Sequence, residues 1–320
     1  MTIRAFDLFC GAGGSSCGAR QAGVRIVGGA DLWEKAADTF EDNFPGAKVY
    51  RRKIEALSPT TVRKEVEPVE LLLASPECTN HSVAKGSAPR DELSRRTAFQ
   101  VIKFAKAWKP RWVVVENVVS MQRWDAYDEW LNGLRELGYH TRELKLNAED
   151  FGVPQSRRRL FVIADRMREP VAPAVNDDNA VPVSSILQRG APDNGYSYRL
   201  RPLFGNGRAK PTLERAERAI QAIGKKKPFL IVYYGSDAAG GWQTLDRPLR
   251  TITTLDRFAL VEPNGSGHEM RMLQPPELAL AMGFPKDYVW QRTTRREHIK
   301  LIGNAVSPPV MRAVVEALTS

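Results

Sequence analysis

Cys78 stands in Ser75-Pro76-Glu77-Cys78-Thr79, directly after the apolar run Leu71-Leu72-Leu73-Ala74. Such a run, bounded by turn residues, reads as a strand buried on both faces of a parallel sheet. The loop leaving the carboxyl end of that kind of strand faces a ligand crevice, so a thiol there is a candidate covalent nucleophile. Glu116-Asn117 follows Trp112-Val113-Val114-Val115 and puts a carboxyl group on the same rim. Neutral or sharing a proton, it can protonate or hydrogen-bond a ring nitrogen; the plainer alternative is a capping Asn beside a salt-bridged Glu. Gln155-Ser156-Arg157-Arg158-Arg159 leads into the strand-like Leu160 to Ala164. Alternation puts Arg157 and Arg159 on one face, where an inward guanidinium needs an anionic or carbonyl partner. The three groups point to covalent group transfer beside a nucleotide-type cofactor.

The elements that must hold these groups alternate in type. Arg4 to Phe9 is strand-like, and Gly11 to Gly18 is a glycine-rich turn that lets backbone approach a ligand closely. A helix starting at Ser16 ends at Gly23, a second strand covers Arg25 to Ala30, and Trp33 to Asn43 is an amphipathic helix stopped by Pro45. Asp31, at the end of the second strand, can accept both hydroxyls of a ribose. Gly11-x-Gly13 matches the dinucleotide fingerprint only in part, because its third glycine position holds Ser16. Val69 to Ala74 and Trp112 to Val115 are strands separated by a helix from Glu92 to Trp108, with Phe99, Ile102, Phe104, Ala105 and Trp108 near one face. The pattern predicts an α/β protein built on a doubly wound, mostly parallel, Rossmann-like sheet. Residues 166 to 200 turn rich in Pro, Asn, Asp and Ser, and 166 to 250 hold 14 Lys and Arg against 8 Asp and Glu. Three parts are expected: 1–165 as catalytic and cofactor-binding domain, 166–262 as a smaller domain, and 263–320 returning to the first. Val310, Val314 and Leu318 form the stripe of a terminal helix from Pro308 that packs back on it.

Composition sorts the partner classes. A net charge of +10 over 320 residues favours a polyanion, since phosphate neutralisation supplies most sequence-independent nucleic-acid affinity. Cys10, Cys17 and Cys78 are the three cysteines; they form no CxxC pair and cannot make a disulfide framework, so a reduced cytoplasmic protein without metal is expected. No run reaches the roughly 18 apolar residues of a membrane helix, and Met1 to Asp7 lacks a signal-peptide core.

Asp7 to Gly18, Cys78 in its loop, Glu116-Asn117-Val118, Gln155-x-Arg157-x-Arg159, Arg247-Pro248-x-x-Thr251-Ile252-Thr253 and Gly303-Asn304-Ala305-Val306 occur here in one order. That order resembles the cytosine-C5 DNA methyltransferases, as does Arg271 to Glu277 running through Met282-Gly283-Phe284-Pro285. The resemblance implies methyl transfer from S-adenosyl-L-methionine to C5 of a cytosine flipped out of double-stranded DNA. By the same resemblance Cys78 adds to C6, Glu116 engages N3, Arg159 contacts the base carbonyl, and Arg157 belongs to the same catalytic set. Phe9, Gly11, Ala12, Gly13, Gly14, Asp31, Leu32, Ile54, Asn304 and Val306 would line the cofactor site. Residues 170 to 246 would form a target-recognition domain, with Tyr233-Tyr234-Gly235 and Gly240-Gly241-Trp242 as DNA contacts or structural turns. The enzyme would act as a monomer on DNA, in some relatives beside a restriction partner.

The chain departs from the family's usual Pro-Cys-Gln with Glu77-Cys78-Thr79, and Lys53 stands where Asp is common before the Ile54 position. A carboxylate at Glu77 is expected to disfavour the neighbouring thiolate unless a cation compensates. Competing readings are methylation of structured RNA, whose branch usually carries a Cys-Phe-Thr that is missing here, a DNA-binding protein without catalysis, and a nicotinamide oxidoreductase.

Overall fold

The computed structural model describes residues 2–77, 91–92, 96–175, 180–189, 195–204, 207–234, 240–265, 267–291 and 293–320. Cys78 and Gly235 lie outside the described residues.

Seven strands build the main sheet: β1 (Arg4–Leu8), β2 (Arg25–Asp31), β3 (Lys48–Arg51), β4 (Leu71–Ala74), β5 (Trp112–Asn117), β6 (His140–Asn147) and β7 (Arg158–Asp165). Their spatial order is β3-β2-β1-β4-β5-β7-β6. The five strands from β3 to β5 are parallel, whereas β7 runs antiparallel to both β5 and β6. This is the doubly wound, mostly parallel sheet expected. β4 and β5 are buried along their whole length because helices cover both faces. β3 and β6 carry no such apolar run; β6 mixes exposed charged residues with a buried end, as suits an edge strand, and gave no clear pattern to read.

The helices fully within the described residues are α1 (Gly14–Gln21), α2 (Glu34–Asn43), α3 (Pro59–Glu65), α4 (Phe99–Trp108), α5 (Tyr127–Glu136), α6 (Lys210–Ile223), α7 (Pro275–Ala281), α8 (Arg295–Asn304) and α9 (Pro308–Thr319). Of the helix expected from Glu92 to Trp108, Glu92 is helical, residues 93–95 lie outside those described, a short 3-10 turn spans Arg96–Ala98, and α4 buries Val101 with Phe104, Ala105 and Trp108, while Phe99 and Ile102 are only half-buried. Local chemistry marks the later starts. The Thr294 hydroxyl caps α8 and the Glu297 side chain accepts from the Thr294 amide, a reciprocal pair that satisfies two orphan donors.

The C-terminal helix returns as expected. Val310, Val314 and Leu318 of α9 pack with Ala5, Leu71, Leu73 and Val114 of the sheet. Gly18 of α1 permits this, since a Cβ there would come within 2.4 Å of the Pro308 carbonyl oxygen.

A second, antiparallel sheet has the order β10-β9-β11-β12-β8. Its strands are β8 (Arg201–Pro202), β9 (Phe229–Val232), β10 (Trp242–Thr244), β11 (Phe258–Asn264) and β12 (Gly267–Met272). Phe229, Ile231, Ala259, Val261 and Met270 pack on Ala216 and Ala219 of α6. The expected boundary at 262/263 falls inside β11. Hydrogen bonding of β11 to β12 carries this sheet on to Met272. Composition hid this, because the change from basic loops to ordinary residues precedes the hairpin that closes the sheet.

Candidate active site

Strand order reverses between β1 and β4, and their carboxyl ends open a cleft of about 750 Å³, the place where doubly wound sheets bind ligands. The turn after β1 forms one wall. Phe9, Gly11 and Gly13 all have positive φ, at 57, 54 and 85°. For Phe9 this is a strained conformation of the kind held at functional sites. Gly14 meets the returning chain, where a Cβ would lie 2.2 Å from the Val306 carbonyl oxygen. The Tyr288 hydroxyl donates to the Ala12 carbonyl and clamps the same turn from behind.

Asp31 closes the floor. One of its oxygens accepts the Gly11 amide at 2.9 Å and the other the Trp33 amide at 2.7 Å. Burial raises its pKa against these bonds, and Glu77 adds to the rise. Each carboxylate oxygen retains acceptor capacity beyond one bond, so the site can still take ligand hydroxyls. Leu32 is 56% exposed at the mouth, Ile54 is buried in the wall, and Asn304 and Val306 complete the opposite side. Volume, close backbone approach and a carboxylate on the floor fit a nucleoside-sized ligand. Sequence reasoning missed Trp33 and Lys300 in this wall, where the ammonium lies 4.5 Å from the ring centroid. Their separation in sequence by most of the chain left no local signal.

The loop after β4 is pinned up to the cleft. The Ser75 amide donates to the Leu8 carbonyl, and the Ser75 and Ser15 hydroxyls lie 3.4 Å apart. The Asn117 side chain donates to the Pro76 carbonyl at 3.1 Å and accepts the Val118 amide, so this Asn ties two loops rather than capping a regular helix. Glu77 lines the cleft. The expected effect of Glu77 on Cys78 involves a residue outside those described. Cys10 and Cys17 are both buried; burial pushes the Cys17 thiol up to about 11 and the Cys10 thiol well above its usual range.

Glu116 pairs across the ladder with Phe161 in β7, which puts Arg159 on its diagonal and on the same face. Arg159 Nε lies 3.3 Å from Glu116 Oε1. Burial raises the Glu116 pKa, opposed by Arg159 and then Arg157. Arg157, grouped with the catalytic set by the resemblance, is anchored to backbone as well as acting on the Glu116 carboxyl group. It is buried and donates to the carbonyls of Ile252 at 2.9 Å, Gly303 at 2.9 Å and Ala305 at 3.1 Å. Gln155 adds to the stitching, accepting the Ile252 amide and donating to the Ala281 carbonyl. Arg157 found the carbonyl partners that an inward guanidinium requires, and it positions the 303–306 wall.

Tyr234 donates to the Thr251 carbonyl at 2.8 Å and packs, half-buried, against the core, while Tyr233 lines a separate groove in the smaller domain.

Comparison with known proteins agrees with this geometry. The profile of the C-5 cytosine-specific DNA methylase family matches residues 3–320. The chain is 28% identical to the type II methyltransferase M.HgiDI of Herpetosiphon aurantiacus, over 95% of this chain and 90% of that protein. It is equally identical to M1.BsuMI of Bacillus subtilis, over 95% and 78%. Among solved structures, the Entamoeba histolytica methyltransferase EhMeth superposes with a TM-score of 0.71 at 16% identity, covering 99% of this chain and 98% of that one, a likeness of fold.

Proposed function

The chain belongs to the C-5 cytosine-specific DNA methylase family, and from that premise we propose that Cys78 is its covalent nucleophile toward a cytosine flipped out of double-stranded DNA. S-adenosylmethionine, the family's methyl donor, supplies an electrophilic methyl group when bound in the cleft. Asp31 would hold its ribose, and Phe9, Leu32 and Ile54 would enclose its base beside the backbone of Gly11 to Gly14, Asn304 and Val306.

The thiolate of Cys78 adds to C6 of the ring, which makes C5 nucleophilic enough to take the methyl group. Glu116 in its protonated form donates to N3 and keeps charge from building on the ring. Arg159 keeps its guanidinium beside that carboxyl group and reaches the base carbonyl. After methyl transfer, loss of the C5 proton and expulsion of the thiolate restore the aromatic ring and free the enzyme.

The observation that carries the reading is the buried Glu116 with Arg159 at 3.3 Å in the cleft region where residues 75–77 end, one peptide bond before Cys78. The buried thiols of Cys10 and Cys17 support it by removing the other two nucleophiles. We propose further that the enzyme acts as a monomer on DNA in the cytoplasm. The test offers labelled methyl donor with duplex DNA and with transfer RNA side by side, followed by nucleoside analysis. Label in DNA as 5-methylcytosine is expected. Label in transfer RNA alone, or at the exocyclic amine of cytosine, would contradict the proposal.

A further inference from the structure

We propose that Arg199, Arg201 and Arg208 form a seat for the DNA sugar-phosphate backbone, at a groove of the smaller domain separate from the catalytic cleft. The proposal rests on the DNA-methyltransferase reading above and deepens it.

The groove encloses about 450 Å³ beside the pairing of β12 with the edge strand β8, with Tyr233, which follows β9, also in its wall. Five arginines line it, and no carboxylate does among the described residues. Two of the five are already neutralised. Arg271 is buried against Glu277, with nitrogen–oxygen distances of 2.7 and 2.8 Å, and Arg295 holds Asp256 at 2.7 Å. Among the described residues no carboxylate pairs with Arg199, Arg201 or Arg208, and the Arg208 guanidinium reaches only the Pro202 carbonyl at 3.4 Å. Three uncompensated guanidiniums in one concave site repel one another and raise the local potential, an arrangement that a polyanion relieves.

Placement favours DNA as that polyanion. Arg295 opens α8, whose last residue, Asn304, lines the catalytic cleft. Ten residues of helix span about 15 Å, close to half a duplex turn of about 17 Å. A duplex with one base in the cleft therefore has backbone within reach of the groove. Arg201 lies on a two-residue edge strand and Arg199 on the segment before it, both exposed. Exposed, open guanidiniums suit phosphate contacts, which fix register without reading bases.

The test measures binding of the full-length protein to duplex oligonucleotides of unrelated sequence across a salt series, for wild type, R201A, R208A and the double variant. Each substitution should weaken binding to all duplexes alike and flatten the slope of log affinity against log salt by about 1. R201K and R208K should keep the wild-type slope. Binding of S-adenosylhomocysteine, followed by tryptophan fluorescence, checks that each variant is folded. Wild type that binds duplex DNA while the folded alanine variants keep its affinity and slope would overturn the groove assignment alone. Relaxed site choice at an unchanged slope would make these arginines base readers and also overturn it. Weaker binding confined to transfer RNA would assign the groove to RNA instead. Wild type that neither binds nor methylates DNA would overturn the underlying reading and the groove with it.

Discussion

Arg157 and Arg159 stand two residues apart, on one face by alternation, yet their surroundings give them different work. Arg157 satisfies three buried carbonyls, whereas Arg159 lies beside a single carboxyl group at the cleft. Arg157→Met should therefore lower stability to chemical denaturation by on the order of 3 kcal/mol, because the orphaned carbonyls lose their donor. Arg159→Ala should sharply reduce methyl transfer, with the stability cost limited because the buried Glu116, its pKa already raised, takes up a proton when the guanidinium is removed. It also removes the main influence holding the Glu116 pKa down. If the protonated carboxyl group donates to N3, the high-pH limb of the methylation profile should move upward in that variant. Asp7 gives a second test. It is buried, accepts the Ser16 hydroxyl at 2.8 Å through one oxygen, and is pushed up to about 7 by burial, with Asp31 adding to the rise. A folded-state pKa above the unfolded value means that the folded protein holds a proton the unfolded chain releases. Stability should therefore fall as pH rises from about 4 to about 7, by on the order of 4 kcal/mol, and level off above. Asp7→Asn should remove that slope from melts run across this range. The sequence made the residue types at Cys78, Glu116 and Asp31 legible because each follows a recognisable strand. The separate fates of the two arginines depend on carbonyls about 95 and 150 residues away, which no local pattern encodes.

At the scale of elements, the cleft is made by close backbone approach. Gly303 in α8 touches the 253–254 segment, where a Cβ would come within 2.3 Å of the Thr253 carbonyl oxygen. Replacing a helical glycine with alanine ordinarily gains about 1 kcal/mol. Here a backbone contact that short outweighs the gain, and overpacking of this kind costs about 1–3 kcal/mol. Gly303→Ala should lower the melting temperature and weaken S-adenosylhomocysteine binding together, since Asn304 and Val306 must shift with it. An unchanged melt with normal ligand binding would show that the contact yields freely. Among the parallel strands β4 and β5 were legible as continuous apolar runs while the short edge strand β3 was not, and the terminal helix was legible as a stripe. β6 was not, because a half-exposed edge strand mixes charged and apolar residues, and α6 was hidden within a stretch notable mainly for its charge.

At the scale of the whole molecule, the chain builds two sheets, and the second includes β12, which ends at Met272. Site choice is proposed to lie in the smaller domain. A graft from a relative that replaces 170–246 alone would cut between β10 and β11 and leave the native β11 to pair with a foreign β9; low soluble yield is expected. A graft extended to 272 keeps the sheet intact and should move methylation to the donor's site, read by sequencing methylated cytosines in DNA from expressing cells. Retention of the original site by that longer graft would refute the division of labour. The central claim, covalent attack by Cys78 on a flipped cytosine, is met most directly by incubating the protein and methyl donor with duplex DNA carrying 5-fluorocytosine at the methylated position. The fluorine blocks release of the adduct. The account predicts a denaturation-resistant complex whose cross-linked peptide contains Cys78, and none with Cys78→Ala; a cross-link at Cys10 or Cys17, or methyl transfer at wild-type rate by Cys78→Ala, would contradict it.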